Sequence, residues 1–349
     1  MRYSRFLRQG FVLISTDNKK YLLYGVFLSL LLILAGCSGM NDSPGPETAL
    51  EPFETMQCNG VLVTSQTPNT QIPGLVTSEH MLYPLHCTEQ VLKEMLSTSD
   101  KPVVLFVHGR GQHPSKAVKK DNLLIQNIEQ QYGVEVVLFT WPSWRGSRHF
   151  PEDEATEAGP ALNSLLQALA TVKKKDNPSR VYTLLTHSMG SLVLEGLIQT
   201  NLKPLPRDLF ESIVISSSAS ALASHSTWVN KLEISPQIYV LTNKQDKVLQ
   251  CLEDDVNWFS SLMYCDSFEA MQKRLGRWGA DIDSNTSTGS HTLYFDFSPL
   301  LDDDHRYYIN QAKKAPAVHL FYDNIFHGKP VGFTAYEEVL PDKIFRITQ

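Results

Sequence analysis

The chain has little cysteine: five residues in 349, with no C-x-x-C pair, so zinc ribbons and thioredoxin-type redox chemistry have no support. No internal repeat is present, and no low-complexity tract follows residue 57. The uncharged run "YLLYGVFLSLLLILAG" (21–36) falls short of the roughly 20 residues that span a bilayer comfortably. A positively charged body is missing too. Arg2, Arg5, Arg8, Lys19 and Lys20 precede residue 37 with one anion, Asp17, which leaves 26 basic and 36 acidic residues, about −10, beyond it. Nucleic acid is therefore not an expected partner, because phosphate binding needs a positive footprint. No cofactor is expected. The run Asp302-Asp303-Asp304 lacks the spaced oxygens of a calcium loop and reads as a solvated acidic turn, so no metal site is expected either. What is present is a composition of 42% hydrophobic and 19% charged residues, enough for the full core of one large or two small domains.

Lys19 and Lys20 before the apolar run make residues 1–36 a secretory leader, to be left out of fold reasoning. The run closes with Leu34-Ala35-Gly36-Cys37, which resembles the lipobox of bacterial lipoproteins. That resemblance implies cleavage before Cys37 and its lipidation, and Ser38 at the next position favours the outer membrane, facing the periplasm, in a Gram-negative cell. The stretch before the run is long for such a leader, so translation is open to starting after Met1. Residues 37–57, rich in Ser, Pro, Gly and Glu, read as a flexible tether, and 58–349 as the folded domain with an N-terminal extension at 58–100. Cys58, Cys87, Cys251 and Cys265 remain, an even number suited to two disulfides in an exported chain. Three pairings exist; proximity favours Cys58–Cys87 and Cys251–Cys265.

Beyond residue 100, apolar runs of strand length alternate with helical spacing. "KPVVLFVHG" (101–109), "VEVVLFTWP" (134–142), "RVYTLL" (180–185), "SIVISSSA" (212–219), "QIYVLTN" (237–243) and "HTLYFDF" (291–297) read as strands. Residues 117–132, the stripe from Ala158 to Val172 and the segment after Leu192 read as helices. Continuous apolar strands between amphipathic helices mean a mostly parallel sheet covered on both faces, an open α/β architecture whose sites form beyond the carboxyl ends of the strands.

The strand-to-helix junction Thr186-His187-Ser188-Met189-Gly190 fits a nucleophile elbow, in which a strained turn lifts a serine and the flanking positions must be small. Gly190 meets that demand; Thr186 stands where glycine is usual. His187 reads as a flank of the turn, since adjacent side chains on an elbow diverge. An oxyanion formed by attack on a carbonyl needs two N–H donors, expected from Met189 and, after the strand at 101, from Arg110 in "HGRGQHP". His108 reads as structural, and the Arg110 side chain is alternatively a substrate contact.

Together "VVLFVHGRG", "VVLFTWPSW", "THSMGSLV" and "NKQDKVL", followed by Arg274-Leu275-Gly276, resemble a bacterial branch of the α/β-hydrolase superfamily, serine-hydrolase-like proteins with F-x-W-P-S after the second strand and A-H-S-M-G at the elbow. The resemblance covers roughly 101–320 and implies the α/β-hydrolase fold and a Ser–Asp–His triad, with little about substrate. Thr186 departs from it, and the leader and 58–100 are additions. Asp246 lies just beyond a strand end, in the chain order Ser…Asp…His of this fold. The base must then be His291, His305, His319 or His327. His305, in "LLDDDHRYY", follows the strand closely and its H-x-Y resembles the family's histidine region, with His327 the alternative. Trp258, Phe259, Met263, Phe268 and Trp278 make 248–280 a candidate cap over the site, or ordinary core. The expectation is a membrane-anchored serine hydrolase acting on a carboxylic ester or lipid acyl group through an acyl-enzyme. An acyltransferase with the same triad, or a hydrolase-like envelope protein that binds without turnover, are the alternatives.

Overall fold

A computed structural model describes residues 58–62, 73–77, 81–111, 124–143, 150–175, 177–200, 204–253, 272–279, 289–309, 311–333, 335–340 and 343–348. The chain divides into two units, Met1–Ala49, none of it described, and Leu50–Gln349, to which everything below belongs. Cys37, the leader and the tether lie outside the described residues. Among the described residues no helix is long and apolar enough to cross a membrane.

The centre of the fold is built from the apolar runs. Strands β4 (Val103–Val107), β6 (Tyr182–His187) and β7 (Ser212–Ser216) are buried at every position. Their side chains alternate between two cores. Val103, Leu105 and Val107 face one with the helices Gly159–Lys175 and Gly190–Thr200, while Val104 and Phe106 face the other with the helix at 124–132 and the helix Pro316–Phe326. Burial on both faces is why these strands are apolar throughout rather than alternating with polar residues.

The remaining strands extend this centre. They are β1 (Val61–Leu62), β2 (Gly74–Val76), β3 (Met81–Pro84), β5 (Glu135–Thr140), β8 (Ile238–Thr242), β9 (Thr292–Asp296), β10 (Tyr336–Leu340) and β11 (Ile344–Ile347). The sheet runs β1-β3-β2-β5-β4-β6-β7-β8-β9-β11-β10 among the described residues. From β5 through β11 every pair is parallel, and antiparallel pairs close both edges.

Segment 58–100, read as an N-terminal extension of the domain, joins the sheet through β2, which pairs antiparallel with β5. Strand β9 is not the last, because β11 returns parallel to it and β10 covers β11. Cys58 and Cys87 form a disulfide, closing a separation of 29 residues that is worth about 3.6 kcal/mol in the chain-entropy picture. Cys251, at the end of the short helix Lys247–Gln250, is half-buried and in no disulfide among the described residues; Cys265, its expected partner, lies outside them.

Candidate active site

At the end of β6 the backbone turns sharply. Ser188 adopts φ 53°, a left-handed conformation that a side chain disfavours, and the helix begins two residues later at Gly190. Hydrogen bonds hold the turn. Ser188 donates its N–H to the Ser216 carbonyl at 3.1 Å, and its own carbonyl accepts from the Ser191 hydroxyl at 2.8 Å and the Ala219 N–H at 3.1 Å. Such over-determination is what keeps an unfavourable conformation in place.

Small residues are required where the chain passes close. A Cβ on Gly190 would collide with the Val107 carbonyl oxygen, and one on Gly109 would sit 2.7 Å from the Cβ of Ser188. Thr186, by contrast, lies inside β6, paired with Val107 of β4 and Ile215 of β7. A β-branched residue suits that setting. The crowding falls on Gly109 and Gly190 instead.

Asp246 ends the loop after β8, fully buried, and uses both carboxylate oxygens. Oδ1 accepts the N–H groups of Val248 and Leu249, each at 3.0 Å, capping the helix Lys247–Gln250. Oδ2 lies 2.7 Å from His305 Nδ1. A carboxylate only accepts, so Nδ1 carries the proton and Nε2 keeps a lone pair. The histidine loop is tied to the same strand end. Asn243 Nδ2 donates to the carbonyls of Asp302 and Asp304 at 2.9 and 3.0 Å, and Lys247 pairs with Asp303 at 2.8 Å. The Tyr307 hydroxyl donates to the Leu241 carbonyl at 3.0 Å and accepts the Ser217 N–H at 3.1 Å, and burial raises its pKa.

Ser188 and His305 meet the same short segment. Ser216 and Ala219 bond the Ser188 backbone, and between them the Ser217 hydroxyl donates to the His305 carbonyl at 2.8 Å. The His187 ring contributes a second bond to that carbonyl, through Nε2 at 3.0 Å. Ser188, Asp246 and His305 thus gather beyond the carboxyl ends of β6, β8 and β9. The other histidines are engaged elsewhere. His291 sits before β9, its carbonyl taking the Ile238 N–H at 2.8 Å; His319 Nδ1 lies 3.0 Å from Gln131; His327 Nδ1 bonds the Asp323 carbonyl at 2.8 Å.

Of the two oxyanion candidates, the Met189 N–H makes no hydrogen bond among the described residues, as expected one position before a helix. Arg110 follows Gly109, whose backbone lies against Ser188, and its guanidinium stands 6.0 Å from the centre of the Phe150 ring. The loop is secured by a residue whose role the sequence left unassigned. Trp141 donates its indole N–H to the His108 carbonyl at 2.9 Å and stacks on the His108 ring at 5.7 Å. Its signal was the tryptophan of "FTWPSW" itself.

Asn243, Ser217 and Tyr307 were likewise missed as supports, although Asn243 opens "NKQDK" and Tyr307 closes the H-x-Y. Arg274-Leu275-Gly276 braces the loop after β7. Arg274 donates to the Ala219 carbonyl at 2.8 Å and Gly276 N–H to the Ser218 carbonyl at 2.9 Å, where a Cβ on Gly276 would strike Ser218 N. Of the candidate cap, Trp258, Phe259, Met263 and Phe268 lie outside the described residues. Trp278 donates to Glu253 at 2.9 Å, with Lys273 Nζ 4.8 Å from its ring centre.

Over residues 86–274 the sequence matches the family described as "Alpha/beta hydrolase of unknown function". No curated protein matches it. Among solved structures it is similar to an esterase of Pyrobaculum calidifontis, at 13% identity and a TM-score of 0.34 over 65% of this chain and 76% of that one. An esterase of Pyrococcus furiosus is similar at 18% identity and a TM-score of 0.25 over 42% of this chain, which spans 63% of that protein's length. A thermophilic esterase of Thermogutta terrifontis is similar at 11% identity and a TM-score of 0.33, over 64% of this chain and 82% of that one.

Proposed function

Because the chain belongs to this family of alpha/beta hydrolases and has the α/β-hydrolase fold, we propose that it is a serine hydrolase cleaving a carboxylic ester or lipid acyl group, with Ser188 as nucleophile, His305 as base and Asp246 as the acid that orients it. The observation that carries the reading is the 2.7 Å contact of His305 Nδ1 with the buried Asp246 carboxylate, beside a serine held at positive φ. That contact leaves His305 Nε2 free to take the Ser188 proton as Oγ adds to the substrate carbonyl.

The negative charge that develops on the carbonyl oxygen falls to the N–H groups of Met189 and Arg110. His305 then gives its proton to the departing alcohol, leaving the acyl group on Ser188. Water, deprotonated by His305, attacks the ester so formed and releases the acid with Ser188 restored. An acyltransferase would replace that water with another alcohol on the same residues. In the same reading, Cys37 carries the lipid and 37–57 tethers the domain to the membrane, with Leu34-Ala35-Gly36-Cys37 as the support.

The test uses a fluorophosphonate probe and p-nitrophenyl esters of graded chain length. Wild type is expected to take up the probe on Ser188, Ser188→Ala to take up none, and His305→Ala to lose about a hundredfold or more in kcat while His327→Ala stays within about tenfold. Folded wild-type protein that neither labels nor turns over would favour a binding protein without catalysis.

A further inference from the structure

Buried beside the nucleophile is an imidazole to which the proposed reaction gives no part. His187 precedes Ser188 on the elbow, is 7% exposed, and packs its ring against the histidine loop. Its Nε2 lies 3.0 Å from the His305 carbonyl oxygen, and the two rings meet edge-on with centres 4.6 Å apart. Tyr308 closes the other side at 5.0 Å.

A carbonyl can only accept, so Nε2 of His187 carries the proton and donates. We propose that His187 is a positioning residue which, by this N–H to the His305 carbonyl, sets the place of the base relative to the serine that follows it in the chain. The inference rests on the serine-hydrolase reading above. Two elements that must be aligned for proton transfer, the elbow and the loop at 302–308, come from distant parts of the sequence, separated by 118 residues at this bond. Asp246 fixes the ring of His305 from one side, whereas His187 and the Ser217 hydroxyl fix its backbone from the other.

The bond also requires a particular protonation state. A second proton on His187 would put a cation 4.6 Å from the imidazole that must become an imidazolium during acylation. Burial first, then the neighbouring His305, with Arg306 and His108 also opposing charge, hold the His187 pKa well below that of an ordinary histidine. His187 is therefore held as a neutral donor.

The decisive comparison is His187→Leu, which fills space without a donor, against His187→Gln, whose amide N–H replaces Nε2–H. On p-nitrophenyl butyrate, His187→Leu is expected to lose about thirtyfold in kcat with KM within about twofold, because misplacing the base slows chemistry rather than binding. The rate of fluorophosphonate labelling at Ser188 should fall in parallel, and His187→Gln should recover most of both. His187→Leu with kcat within about threefold of wild type overturns the proposal, as does a folded Gln variant no better than Leu. Should the Leu variant fail to fold, His187→Met against His187→Gln applies the same criteria. Wild type that labels normally while the variants match it sinks only the positioning role. Wild type that neither labels nor turns over removes the serine-hydrolase reading and this inference with it.

Discussion

Ser188 concentrates the conflict between conformation and chemistry in a single residue. At φ 53° its Cβ costs about 1 kcal/mol relative to a glycine, and the bonds to Ser191, Ser216 and Ala219 hold it there. Ser188→Gly is accordingly expected to be more stable than Ser188→Ala by about 1 kcal/mol in urea unfolding, with neither showing turnover. Equal midpoints for the two variants would mean that the turn is not strained at this position. At this scale the side chains proposed to react were marked in the sequence because each stands at a strand end with chemistry of its own. Ser217, Asn243 and Tyr307 were not, since a serine, an asparagine and a tyrosine look ordinary until their partners, 59 to 90 residues away, are known.

Among the elements, the strands buried on both faces announced themselves as apolar runs, and those covered only by their neighbours did not. Strands β1 to β3 are two to four residues long, and β10 exposes most of its length with Glu337 and Glu338 at its centre. Their pairing depends on β5 and β11 rather than on any local period. The helix at 124–132 offers a test of how elements meet. Its Glu129 accepts the Val136 N–H of β5 at 3.1 Å, and burial pushes its pKa up to about 7, against the bond to Val136. The folded protein keeps that proton between the ordinary value of 4.5 and about 7 while the unfolded chain loses it, so stability falls as pH rises through this window. Solvent reaches part of the group and screens the penalty, which leaves about 1 kcal/mol. Glu129→Gln, which preserves the acceptor, should therefore be more stable than wild type by about that amount at pH 8 and equal to it at pH 4. Thermal melts at the two pH values check this; a difference that does not grow with pH would count against it.

For the whole molecule, the proposed membrane anchor and the folded domain belong to different parts of the chain. The acidic domain, about −10 beyond residue 36, has no electrostatic attraction of its own to an anionic bilayer. In the proposed reading, retention comes from lipid on Cys37, with 37–57 as the spacer. Fractionation of cells expressing Cys37→Ser should find the protein released from membranes or arrested as the uncleaved precursor. Mature protein still bound to membranes after that change would remove the anchor from the proposal.

By itself the sequence determined the sheet's centre and its direction, because strands buried on both faces must be apolar at every position and must be joined by amphipathic helices. It also marked the junction at Ser188 and the strand end at Asp246. Only the tertiary structure decided which histidine meets Asp246, across 59 residues of chain, and that Asn243 and His187 hold the loop bearing it. The same holds for the short edge strands. These outcomes depend on groups far apart in the chain being brought together, and no local pattern of hydrophobicity or spacing records such a meeting.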